Sequence, residues 1–197
     1  MESTLNRRNA LKMGLLATTF GFGEALSSRA ESTANLQLQN KAVVARWFAE
    51  FWGKTCNLAV VDELAAPDMA LRYSLHKARY GREDIKIFMR GFRAAFPDLN
   101  FWGTAPLLAD GDYVVGQWEG GGTHTGPAFS DFLLGALPAV SGRKMHFTGI
   151  TILQLSDGKI VQELGLDDGA TALQQLGILL KAETAEAYRV EQEYACY

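Results

Sequence analysis

The sequence predicts an α+β domain in which N-terminal helices pack against one face of a curved antiparallel sheet. Three observations carry this prediction. Apolar residues follow a helical period in the first half of the chain, and they give way to strand-like runs after Asp98. The turn signals Asp110-Gly111-Asp112 and Ser156-Asp157-Gly158 separate those runs as hairpins would. Helices first and strands second indicate segregated layers rather than alternating βαβ units.

Residues 1–30 read as an address. Arg7-Arg8-Asn9-Ala10-Leu11-Lys12 has the paired arginine of a twin-arginine export signal, followed by a Gly-rich apolar run from Met13 to Phe22 and by Ser28-Arg29-Ala30 as a small-residue cleavage site. The order of these features favours export over a frayed amphipathic N-terminus, and it implies a periplasmic or secreted product. Residues 31–39 are polar and without pattern, as a linker would be.

The pocket domain is expected over residues 40–180. Val43, Val44, Trp47, Phe48, Phe51 and Trp52 form a broad apolar stripe at helical spacing. A short second helix is predicted from Leu58 to Ala66, stopped by Pro67, and Met69 to Tyr73 then reads as a strand. After Gly81, the residues Ile85, Phe88, Met89, Phe92 and Phe96 keep helical spacing until Pro97 ends the run. Strands follow at Leu99 to Leu108, Tyr113 to His124, Lys144 to Leu155 and Lys159 to Leu166. The connection from Pro127 to Gly142 is long and apolar, which fits a lid over a pocket or a short buried helix equally well. A last helix is expected from Asp168 to Leu180, and 181–197 is a charged tail.

Bulk composition removes several classes. Hydrophobic residues make up 48% of the 197 residues and charged residues 21%, as in soluble globular chains. No stretch reaches the roughly 20 apolar residues of a membrane helix. The formal charge is -3, and without residues 1–30 it becomes -5. A mildly acidic body with no basic stripe is a poor partner for nucleic acid, whose phosphates supply most non-specific affinity. Cys56 and Cys196 would meet an oxidising compartment, where a disulfide competes with a buried or tail thiol; the spacing does not choose.

Chemistry-bearing residues are few. His76, His124 and His146 lack metal-ligand spacing, no Gly-x-Ser-x-Gly elbow occurs, and Gly120-Gly121-Gly122 lacks the Lys-Ser/Thr of a phosphate loop. The chain is therefore expected to work without metal or organic cofactor. Asp167 and Asp168 remain, at the end of the last strand. Strict alternation puts Ile160, Gln162, Leu164, Leu166 and Asp168 on one, more apolar face. Asp168 is thus expected to point inward, where desolvation would raise its pKa and suit it to proton transfer, with Asp167 facing away. An aspartate here is equally suited to cap the helix that follows, and the pattern alone leaves both roles open.

Several short motifs occur in a set order: Gly81-Arg82-Glu83, Phe96-Pro97-Asp98-Leu99, Gly111-Asp112, Gly122-Thr123-His124-Thr125-Gly126, Asp157-Gly158-Lys159-Ile160 and Gln174-Gln175-Leu176-Gly177. Together they span about residue 40 to 180, and the ordered set resembles the SnoaL-like polyketide cyclases, the ester-cyclase group. The resemblance implies the cystatin-like cone that this family shares with ketosteroid isomerase and the nuclear transport factor. In the family an aspartate upstream of Gln-Leu-Gly is the acid/base, and counting back from Gly177 falls on Asp168. The Gly-Thr-His strand makes His124 a pocket residue that orients Asp168 or a substrate oxyanion. His76 matches a family histidine more loosely. Trp47, Phe88, Phe92 and Trp118 belong to the core, which in a hollow cone also lines the substrate pocket. The chain departs from the family after Gly126, where a short Pro-Thr-Gly segment is replaced by the Ala128 to Arg143 loop.

The resemblance implies aldol-type ring closure or isomerisation of a polyketide-like carbonyl compound, with a hydrophobic small molecule as partner and a homodimer formed through the open sheet face. An exported carrier without turnover, and an epoxide hydrolase or dehydratase on the same fold, are the alternatives, because fold does not select chemistry.

Overall fold

The computed structural model describes residues 29–180. The twin-arginine motif, the tail 181–197 and Cys196, with any bridge to Cys56, lie outside the described residues.

Helix α1 covers 29–47, and its course widens into a π-helical turn at Phe48–Trp52. Residues 31–39 are therefore helical, contrary to the expected linker. They lie almost wholly exposed, so no face had to be apolar and no period was written into the sequence. Helix α2 (Ala59–Leu64) is shorter than predicted, because strand β1 (Ala65–Tyr73) begins immediately after it and runs through Pro67. The proline is tolerated because β1 pairs with its neighbour at Ala65 and again only from Ala70, leaving an irregular stretch between. The short strand β2 (Arg79–Tyr80) was not predicted; α3 (Arg82–Ala95) follows Gly81 as expected.

The second half forms β3 (Asn100–Gly103), β4 (Leu108–Asp110), β5 (Tyr113–Thr123), β6 (Lys144–Ser156), β7 (Lys159–Asp167) and the short helix α4 (Gly169–Gln175). The run predicted as one strand from Leu99 to Leu108 is two, both paired with β5. Among the described residues the sheet has seven strands in the order β2-β1-β7-β6-β5-β3, with β4 also on β5. All pairings are antiparallel except β1 with β7, which is parallel. The fold is thus the α+β class, with one parallel pair that hairpin signals alone could not reveal.

The core lies between the concave face and the helices. Trp47 and Phe51 stack with ring centroids 4.3 Å apart, and both are fully buried with Val44, Ile85, Met89 and Phe96. The loop after Gly126 contains no helix. It is fixed by the isolated bridges His76 to Phe132 and Phe129 to Leu137, and it buries Phe129, Phe132 and Leu137 while leaving Leu133 and Leu134 exposed. Among the described residues no helix is long and apolar enough to cross a membrane.

Candidate active site

The site follows from one irregularity in β7. Between two successive pairs, β6 advances by one residue, Leu155 to Gln154, while β7 advances by two, Ile160 to Gln162. Val161 is the extra residue of a β-bulge, and such an insertion turns every later side chain to the opposite face. Ile160 is fully buried, and beyond the bulge the inward residues are Glu163, Gly165 and Asp167. The expected inward register of Asp168 is therefore corrected. Asp168 is exposed and caps α4, accepting from the Thr171 backbone N–H at 3.1 Å, which holds its pKa below the usual carboxylate range. Asp167 is the aspartate that faces the interior.

Asp167 meets a narrow cavity at the mouth of the cone. Phe48 and Trp52 from the first helix and Phe92 from α3 form one wall; Phe101, Trp118 and Phe147 from the sheet form the other. Tyr73, Leu75 and His76 complete it. The aromatic rings fill most of the cone, leaving about 20 Å³, room for about one water. A larger groove of about 410 Å³ runs outside, between the first helix and β3, but Lys54 is its only charged residue. The small cavity is the one lined by both a carboxylate and an imidazole, Asp167 and His76.

Asp167 accepts from the Ser74 hydroxyl, and burial raises its pKa against the opposing influence of Ser74 and of His76. His76 is buried among the rings of Phe88, Phe92, Phe129 and Phe132, with centroids 4.9 to 6.1 Å away. Its Nδ1 lies 3.3 Å from Asp131 Oδ2.

Behind the aromatic walls sits a second carboxylate. Glu163 is fully buried and accepts from Trp47 Nε1 at 2.8 Å, Trp52 Nε1 at 2.9 Å and the Tyr73 hydroxyl at 2.6 Å. Trp118 Nε1 donates to Thr151 Oγ1 at 2.8 Å, and Thr151 in turn meets the Tyr73 hydroxyl at 3.0 Å. Burial pushes Glu163 up to about 7, although its three donors favour the anion. Gly165 makes this network possible. A Cβ there would lie 2.0 Å from Tyr73 Cε1, so only a bare glycine lets the phenol ring lie across β7.

Of the residues expected at the site, His76, Phe92 and Trp118 line the cavity. Phe88 packs behind His76, and Trp47 is buried at Glu163 rather than on the cavity wall. His124 is displaced from its expected role. It is fully buried at the neck of the long loop, its Nε2 donating to the Pro127 carbonyl at 2.8 Å and its Nδ1 2.9 Å from Ser141 Oγ. With both nitrogens committed it staples the two ends of the loop and does not reach the cavity lining. His146 is exposed on the other face of the sheet. Among the described residues no three His, Cys, Asp or Glu side chains gather as a metal site requires. Sequence reasoning missed Glu163 and Tyr73. The two indoles at positions 47 and 52 on a core-facing stripe were the available signal, since a buried Trp N–H needs an acceptor.

Residues 42–176 match the family model of the SnoaL-like polyketide cyclases, and the chain belongs to that family. No curated protein gives a significant match. A SnoaL-like polyketide cyclase candidate from Jannaschia sp. CCS1 superposes with a TM-score of 0.61 at 24% identity, covering 74% of this chain and 96% of its own. IdmH, a polyketide cyclase candidate from Streptomyces antibioticus, gives 0.55 at 25% identity over 71% of this chain and 99% of its own. AclR, a hydroxylase candidate from Streptomyces galilaeus, gives 0.58 at 20% identity over 82% and 99%, which shows the shared fold alone.

Proposed function

We propose that the protein is a cofactor-independent cyclase or isomerase acting on a hydrophobic polyketide-like carbonyl compound, with Asp167 as its acid/base. Family membership supports a cyclase or isomerase in general terms. The observation that carries the finer reading is the placement of Asp167, a partly buried carboxyl of raised pKa opening on a cavity otherwise walled by aromatic rings. A carboxylate whose basicity is raised by desolvation is suited to remove a proton next to a carbonyl. The resulting carbon nucleophile closes on a second carbonyl of the same molecule, and the Asp167 carboxyl returns the proton to the new alkoxide. His76 holds a hydroxyl of the substrate. Because the rings nearly fill the cone, substrate entry requires aromatic side chains to move aside.

The test is incubation of the purified protein with linear and partly cyclised poly-β-carbonyl compounds, followed by mass and chromatographic analysis. Catalytic conversion to an isomer of altered ring count supports the reading. Stoichiometric retention of unchanged compound would favour a carrier, and addition or loss of water would favour a hydrolase or dehydratase. The proposal extends to location: the leader directs the folded protein out of the cytoplasm, and Arg7→Lys with Arg8→Lys should hold it there in fractionation.

A further inference from the structure

The long loop after Gly126 carries Asp131, and Asp131 is tied to the cavity. Its Oδ1 accepts from Arg79 Nη2, and its Oδ2 lies 3.3 Å from His76 Nδ1. The loop cannot easily drift from this position. The Leu133 backbone N–H donates to the Leu75 carbonyl at 3.1 Å, Phe132 forms a bridge with His76, and the rings of His76 and Phe132 stack with centroids 5.2 Å apart. Arg79 is itself held on the far side by the Phe88 ring, 5.2 Å from its centroid, and by Asp84 at 3.6 Å.

Two atoms in this cluster are conspicuous. His76 Nδ1 and Asp131 Oδ2 are both buried and neither has a hydrogen-bond partner of good geometry among the described residues, yet they lie 3.3 Å apart. A buried ring nitrogen and carboxylate oxygen left unpaired would each cost about 1–3 kcal/mol, so a proton shared between them is the arrangement that satisfies both. Only one neutral tautomer allows it. An ionised carboxylate accepts and cannot donate, so the imidazole must carry its proton on Nδ1. Burial works to raise the Asp131 pKa, but the contacts with His76 and Arg79 outweigh it and hold the group ionised. The ring belongs to the cavity lining, and with Nδ1 turned to the loop, Nε2 is the nitrogen left for the cavity.

We propose that Asp131 is a positioning residue that fixes His76 as the Nδ1–H tautomer, so that the Nε2 lone pair meets the cavity and selects ligands offering an enol or phenol hydroxyl there. The long loop is then a part of the site rather than a cover over it. The substrate feature rests on the proposed cyclase reading; the tautomer does not. Within this cluster the charged or titratable groups around His76 are Asp131 from the loop, Asp167 from β7 and Arg79 from β2, reached through Asp131.

Long-range ¹H–¹⁵N correlation spectra of the ¹⁵N-labelled full-length protein at about pH 8, where an ordinary histidine is neutral, test this directly. His76 is assigned by the signal lost in His76→Gln. The expected wild-type pattern is a protonated Nδ1 with an unprotonated, pyridine-like Nε2, and Asp131→Ala, checked as folded by circular dichroism, should return the ring to the Nε2–H form. A wild-type Nε2–H pattern would overturn the inference, as would an Nδ1–H pattern unchanged in Asp131→Ala. Should Asp131→Ala fail to fold, the wild-type spectrum decides by itself. Once a substrate is in hand, Asp131→Ala is expected to lower turnover about tenfold or more for hydroxyl-bearing compounds, and to leave compounds lacking that hydroxyl little affected. Failure to find any substrate would count against the cyclase reading and leave the spectral result intact.

Discussion

The Tyr73 hydroxyl donates to Glu163 Oε1 at 2.6 Å in the buried interior, and among the described residues no cationic side chain pairs with that carboxylate. The carboxyl is instead held by two indoles and a phenol, all neutral donors, of which Trp52 and Tyr73 also line the cavity. A buried group of this kind couples protonation to stability.

Stability should fall as pH rises through the range between the ordinary glutamate pKa of 4.5 and the folded value of about 7. The folded state holds the proton in this window and the unfolded chain has released it, so the stabilisation is full below 4.5 and is lost above 7. The amplitude is on the order of 3 kcal/mol. Asp131 and Asp168, whose pKa values are lowered, act in the opposite sense but at lower pH, where their stabilisation is lost by acidification. Denaturant titrations of wild type and Glu163→Gln from about pH 5 to 7.5 check this: the slope should be present in the first and flattened in the second.

Gly165→Ala should disconnect Tyr73 from Glu163. The new methyl would collide with the phenol ring, and overpacking of this sort costs about 1–3 kcal/mol. A lowered denaturation midpoint with a changed Tyr/Trp fluorescence spectrum is expected. An unchanged protein would mean that the strand shifts to make room.

His124→Ala should act on stability rather than chemistry. Removing the ring strands the Pro127 carbonyl and the Ser141 hydroxyl at the loop neck, a loss of about 2–3 kcal/mol. The fraction that remains folded should retain its ligand affinity, which equilibrium binding at low temperature would measure.

Long apolar periods made the helices legible. The stripe from Val43 to Trp52 and the run from Ile85 to Phe96 each bury a continuous face, and that face is what the sequence repeats. Turn chemistry made the β5, β6 and β7 boundaries legible to within a residue or two. The parallel pairing of β1 was hidden, because no local signal records which distant strand completes a ladder. The inward-facing aspartate differs by one residue from the expected one for a related reason. Alternation counted from Ile160 is correct for Ile160 and inverted for everything beyond Val161, since a bulge depends on the partner strand and leaves no composition mark. Glycine at 165 beside a buried Glu163 becomes intelligible only when Tyr73 is seen to lie across both.

The bulge at Val161 turns Asp167, and not Asp168, toward the cavity, and this is the basis for proposing Asp167 as the acid/base. Asn is nearly isosteric with Asp and also caps helices, so both substitutions should leave the fold intact. The decisive measurement is single-turnover kinetics of Asp167→Asn and Asp168→Asn on one verified substrate. Asp167→Asn is predicted to slow conversion by about 100-fold or more while ligand affinity changes little, with Asp168→Asn close to wild type. Loss of turnover in Asp168→Asn with activity retained in Asp167→Asn would contradict the account.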